Sequence, residues 1–88
     1  MIFISLGRVK KKPTKEMINE TGKIVKSAIA EGAQFQNIYY TLGRYDVVAI
    51  FEAPNEKAAM KMLMRLGDIE TTETLIAVPR EEAMEFIE

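Results

Sequence analysis

Gly43, Arg44, Tyr45 and Asp46 form the densest group of chemistry-bearing residues in this chain of 88. An arginine close to an aspartate suits the binding of a carboxylate or phosphate, with Asp46 orienting the guanidinium. The same four residues also make a simple hairpin. Gly43 then takes the unusual backbone angles, Asp46 bonds to nearby backbone, and Tyr45 packs at the rim. Tyr39, Tyr40, Thr41, Ser5, Thr72 and Thr74 are polar residues inside strand-like stretches. Facing a cleft between sheet and helices, they would supply the few polar anchors of a mostly apolar pocket. Otherwise they pack through their carbon atoms and satisfy their hydroxyls locally. Glu52 and Glu73 lie in apolar strands, and burial would make either an acid–base candidate. At strand ends, or paired with Arg44 or a lysine, they are ordinary surface carboxylates. The candidate ligand-binding set is therefore Tyr39, Tyr40, Arg44, Tyr45, Asp46 and Glu52. No pair carries the supporting motif of a known reaction, so no residue is assigned a catalytic role.

Composition narrows the chemistry. The chain has no Cys and no His. Disulfides, thiolate catalysis and Cys-based metal sites are excluded, and the commonest metal ligand is missing. Neither a metal nor a cofactor is expected. The longest aliphatic or aromatic run, Val47 to Phe51, is far too short for a bilayer. The N-terminus shows no secretory signal pattern, so a cytoplasmic location is the expectation. Residues 1–30 carry seven basic and two acidic side chains, whereas 31–88 carry five and eleven. That asymmetry can orient packing between protomers or draw an anion to the basic end. The basic loop from Arg8 to Lys15 lacks interleaved aromatics, so nucleic acid is not an expected partner.

These residues must be positioned by a small set of elements. Ile2 to Leu6 reads as a first strand. Pro13 or Thr14 opens a helix whose buried face is Met17, Thr21, Ile24, Val25 and Ala28, and Gly32 stops it. Phe35 to Leu42 and Asp46 to Glu52 are strands two and three, joined at Gly43-Arg44 by a two-residue turn with glycine first. Asn55 caps a second helix with Ala59, Met60, Leu63 and Leu66 inward. Met60 is read as core, with Met62 and Met64 as gap fillers. Thr71 to Val78 is strand four, and Arg80 to Ile87 a short last helix. The order is β-α-β-β-α-β. It predicts an α+β, ferredoxin-like domain over 1–88, with an antiparallel sheet of order 4-1-3-2 and both main helices on one face.

Strand three is apolar on both faces: Val47, Ala49 and Phe51 against Val48 and Ile50. Strand one divides into Ile2, Ile4 and Leu6 against Phe3 and Ser5. An antiparallel sheet with one wet face alternates apolar and polar residues instead. Two helices cover one face, and a last helix of eight residues reaches only about 12 Å. A second copy covers the other face better. Four strands offer roughly 700–900 Å² per protomer, near the usual interface size. A sheet-to-sheet homodimer with two-fold symmetry is expected.

The stretch Tyr39 to Val48, then Glu52-Ala53-Pro54-Asn55-Glu56, Leu66-Gly67 and Thr72-Glu73-Thr74-Leu75, resembles the GYD-domain family, which is widespread in prokaryotes. The resemblance is good over roughly 35–80, loose in the first strand and slight in the first helix. Lys10-Lys11-Lys12 departs from it. It implies the dimeric α/β-barrel superfamily and no established activity. The hairpin and the Thr72-Glu73-Thr74 strand are also similar to the ligand-sensing domain of Lrp/AsnC-type regulators. No helix-turn-helix precedes them here, which implies a stand-alone sensor. Three functions follow: a non-catalytic module for a small metabolite or a protein partner, the favoured one; a cofactor-free monooxygenase or isomerase; or an amino-acid sensor.

Overall fold

The computed structural model describes residues 1–87. Strands β1 (Ile2–Val9), β2 (Gln34–Tyr40), β3 (Val47–Glu52) and β4 (Glu70–Ala77) form one antiparallel sheet in the order β2-β3-β1-β4. This is the ferredoxin-like arrangement with the strand order expected. Helices α1 (Lys15–Ala30) and α2 (Glu56–Arg65) join the strands, and a 3-10 turn, Leu66–Asp68, leads into β4. The short helix α3 (Arg80–Met84) follows β4.

Each helix starts and stops for local reasons. Thr14 caps α1, its Oγ1 accepting from the Met17 amide at 3.1 Å. Asn55 caps α2, its side-chain oxygen accepting from the Ala58 amide at 2.9 Å. Such caps satisfy amide donors that the helix itself leaves free. Gly32 ends α1 with φ of +109°. The Gly32 amide bonds to Ile29 O and the Ala33 amide to Ala28 O, both at 3.0 Å. That pair of bonds is the glycine-dependent helix stop.

The core lies between the helices and one sheet face. Phe51 is fully buried, and Phe3, Ala28, Ala53, Ala59, Met62 and Leu66 are buried with it. Phe3, Phe51 and Phe35 stand opposite one another across β1, β3 and β2. Their rings stack at 5.3 and 5.0 Å between centroids. Alternation then assigns the rest. Phe3, Ser5, Gly7, Ala49 and Phe51 face the helices; Ile2, Ile4, Leu6, Val48 and Ile50 face away.

Three expectations are corrected. The turn at Gly43-Arg44 is not a two-residue hairpin. β2 ends at Tyr40 and β3 begins at Val47, with six residues between them. The Asp46 amide donates to Gly7 O at 2.8 Å, and the Val9 amide donates to Asp46 Oδ2 at 2.8 Å. Asp46 thus ties to β1, while its carbonyl accepts from the Thr41 amide at 2.8 Å and closes the six-residue loop, and pairing of β3 starts one residue later. Gly43 keeps its positive φ of +105° within the loop. Met60 is not core: it is exposed, whereas Met62 is buried. Ala59, Met62 and Leu66 are three and four residues apart and share the inner face, and Met60 lies one residue off that stripe. The last helix closes at Met84, with single-turn bonds continuing to Ile87.

Candidate functional site

The sheet and α1 do not close completely. Between them lies a cavity of about 40 Å³, room for a water or two. Met17, Thr21 and Val25 of α1 form its roof. Ser5, Val9, Ile38, Tyr40, Val47, Ala49 and Glu70 belong to the sheet below. Met62 and Leu66 close one side. The walls are apolar with a few polar groups, the usual character of a small-molecule site.

Glu70 is the only ionisable carboxylate in the lining. Burial pushes its carboxyl above the ordinary glutamate value, and the Asp46 charge adds to the shift. A half-buried carboxylate loses part of its hydration, so the protonated form gains. Space for it comes from Gly7. A Cβ at that position would lie 2.7 Å from Glu70 Oε1 and 2.7 Å from Val47 Cγ1. Ser5 is also buried, and its hydroxyl accepts from Thr74 Oγ1 at 3.3 Å.

The raised value has a measurable consequence. Between the ordinary glutamate value and the raised one, the folded chain holds a proton that the unfolded chain has released. Stability therefore falls as pH rises through that window and is intact below it. Glu70→Gln removes the titration. The variant is expected to melt a few degrees above the parent once pH is above the window, with the gap vanishing towards pH 4.5. A gap that stays constant across this range would show that Glu70 titrates normally.

The six candidate residues fall in three places. Tyr40 lies on the helix side of β2 and lines the cavity. Asp46 is joined to the cavity floor through Val9 and acts on Glu70 electrostatically. Tyr39 and Glu52 belong to the other face, where Tyr39 stands opposite Val48 and Glu52 opposite Ile2. Glu52 there accepts from Gln36 Nε2 at 3.5 Å. Arg44 and Tyr45 lie in the loop, the guanidinium 5.8 Å from the ring centroid. The Asp46 carboxylate accepts from the Val9 amide and does not orient Arg44. The set is therefore not one site.

Glu70 was not among the residues singled out. Its signal was present: Glu70, Thr72 and Thr74 alternate on one face, and that face is the covered one. A wider groove of about 590 Å³ runs along the start of α1. Lys11, Lys12 and Lys23 there are balanced by Glu16, Glu20 and Asp68, so it has no net pull on anions. Among the described residues no group of His, Cys, Asp or Glu is arranged to hold a metal. No helix among them is long and apolar enough to cross a membrane.

Several solved structures share this fold. PH0061 superposes with a TM-score of 0.59 at 20% identity over 91% of this chain, which spans 53% of that one. SCO4226 from Streptomyces coelicolor A3(2) gives 0.60 at 11% identity, covering 88% of this chain and 96% of the other. TTHA0845 from Thermus thermophilus gives 0.52 at 22% identity, covering 90% and 98%. At such identities the likeness concerns the fold alone. No curated protein sequence matches the chain. The family model of the GYD domain matches residues 3–87, nearly the whole length, and the chain belongs to the GYD domain family.

Proposed function

We propose that the protein is a dimeric, non-catalytic binding module, formed by residues 1–88 as one domain and working in the cytoplasm. Two copies pack open face to open face, and each holds a small, uncharged molecule between α1 and the sheet. The observation that carries this reading is a sheet with two apolar faces, of which the fold covers one. Ile2, Ile4, Leu6, Val48 and Ile50 project from the other, with Tyr39 and Leu75 beside them half exposed. A contiguous apolar surface of this kind marks an interaction site.

The cavity supports the ligand half of the proposal. Its lining contains no Lys or Arg, so an amino-acid carboxylate or a phosphate would find no counter-charge there. A ligand would have to part α1 from the sheet, because about 40 Å³ is well below the usual size of a pocket. A thermal-shift screen with quinones, phenols, amino acids and phosphorylated metabolites tests this. Neutral ring compounds are expected to raise Tm, and Tyr40→Ala to abolish the shift. Stabilisation by the anionic classes alone would overturn the reading.

One observation favours a second reading. A carboxylic acid whose proton affinity burial raises, beside an apolar cavity, is also what a cofactor-free enzyme needs for proton transfer. Turnover of a screening hit, lost in Glu70→Gln while binding survives, would make the protein an enzyme.

A further inference from the structure

The last ten described residues leave the body of the protein. A compact chain of this length has a radius of gyration of about 12 Å, against 13.8 Å here, and the molecule is 49 Å long by 31 by 18 Å. The packing that holds the fold joins the four strands, α1 to α2, and the turn Leu66–Asp68 to α2 and β4; α3 adds nothing comparable. Yet the segment Arg80–Ile87, α3 and the single-turn bonds that follow it, is amphipathic. Ala83, Met84, Phe86 and Ile87 share one side, and Glu81, Glu82 and Glu85 the other. Phe86 and Ile87 are each 76% exposed, and Met84 is 53% exposed.

Two physical facts make this arm informative. An isolated helix of fewer than about 12 residues is marginal in water, so a helical turn this short needs a surface to rest on. Among the described residues its own chain packs against it only weakly. The arm also departs from the rim of the open sheet face: it follows Ala77, which pairs with Ile2 at the edge strand β4. Leu75 and Ala77 point to that face, so the arm leaves the sheet beside its apolar residues. Sheet-on-sheet packing alone would leave Phe86 and Ile87 in water.

We propose that in the dimer the segment Val78–Ile87 of each protomer packs against the other protomer, two reciprocal arms extending the sheet-to-sheet contact. This rests on the dimer proposed above. Two-fold symmetry requires that if one arm finds a seat on its partner, the other does also. The acidic side of α3 stays in water while Met84, Phe86 and Ile87 are covered.

The chain has no Trp, so Phe86→Trp installs a unique reporter at a position that its own fold leaves unpacked. The measurement is tryptophan emission across a dilution series, with light scattering on the same samples. The expected result is emission shifted to the blue in the dimer, moving to the red on dilution with the midpoint of dissociation. Red emission from a particle that scatters as a dimer would overturn the arm proposal and leave the sheet dimer standing. Blue emission unchanged through dissociation would mean that the arm packs on its own chain, which also overturns it. A particle that scatters as a monomer throughout would remove the dimer reading and this inference together.

Discussion

Phe51→Ala is expected to lower Tm by about 20 °C or to leave the chain unfolded. Among the described residues Phe51 is the one large side chain with no exposure, and it stands at the middle of a stacked row, with Phe3 on one side and Phe35 on the other. Replacing a buried Phe by Ala costs about 3–5 kcal/mol through lost transfer and the cavity left behind. The two ring pairs add roughly 0.5–1.5 kcal/mol each. A domain of this size has a total stability of only about 4–13 kcal/mol, so most of it is lost. Phe51→Leu keeps much of the volume and is expected to fold with a smaller drop. Thermal unfolding followed by circular dichroism decides the matter; a Tm within about 5 °C of the parent would mean that the row is not the centre of the core.

Ile4→Glu is expected to dissociate the proposed dimer while leaving the protomer folded. Ile4 stands at the middle of the open face, opposite Ile50 on β3 and Leu75 on β4. It is not part of the buried core. A glutamate there stays solvated in the monomer. In a sheet-to-sheet dimer it would be buried among apolar side chains, with Glu52 and Glu73 on the same face and Arg8 the cation of β1 there, four residues along the strand. An unpaired buried charge costs several kcal/mol, and about 4 kcal/mol corresponds to roughly a thousandfold in dissociation constant. Light scattering over a dilution series reads this directly. An unchanged dissociation constant in a folded variant would place the interface elsewhere.

Much of the fold was legible because its determinants are local or periodic. Thr14, Gly32 and Asn55 act within a few residues of themselves, and the spacing of Met17, Thr21, Ile24, Val25 and Ala28 marks one helical face wherever the helix lies. The doubly apolar pattern of Val47 to Phe51 likewise follows from alternation alone. The misreadings have a common origin. Met60 and Met62 are chemically alike and differ only in rotation about α2, which packing against Ala28 and Phe51 settles. In the loop Thr41–Asp46, Gly43 by itself invites a tight turn. The bonds that open it run from Asp46 to Gly7 and Val9, 37 residues away for Val9.

The candidate site divides in the same way. Sequence by itself determined the residue inventory: no Cys or His, a tyrosine pair, an Arg-Tyr-Asp run, and a sheet too apolar for one layer of helices. It also determined that Tyr39 and Tyr40 must point to opposite faces, since strand side chains alternate. Only the tertiary structure decided which of them meets the cavity, because that depends on the register of β2 against β3. It alone brought Glu70 under α1, beside Asp46 and over Gly7. Those three are far apart in the chain, and each is unremarkable in its own neighbourhood. A carboxylate acquires a perturbed proton affinity from what surrounds it, and for Glu70 the surroundings come from β1, β3 and α1 together.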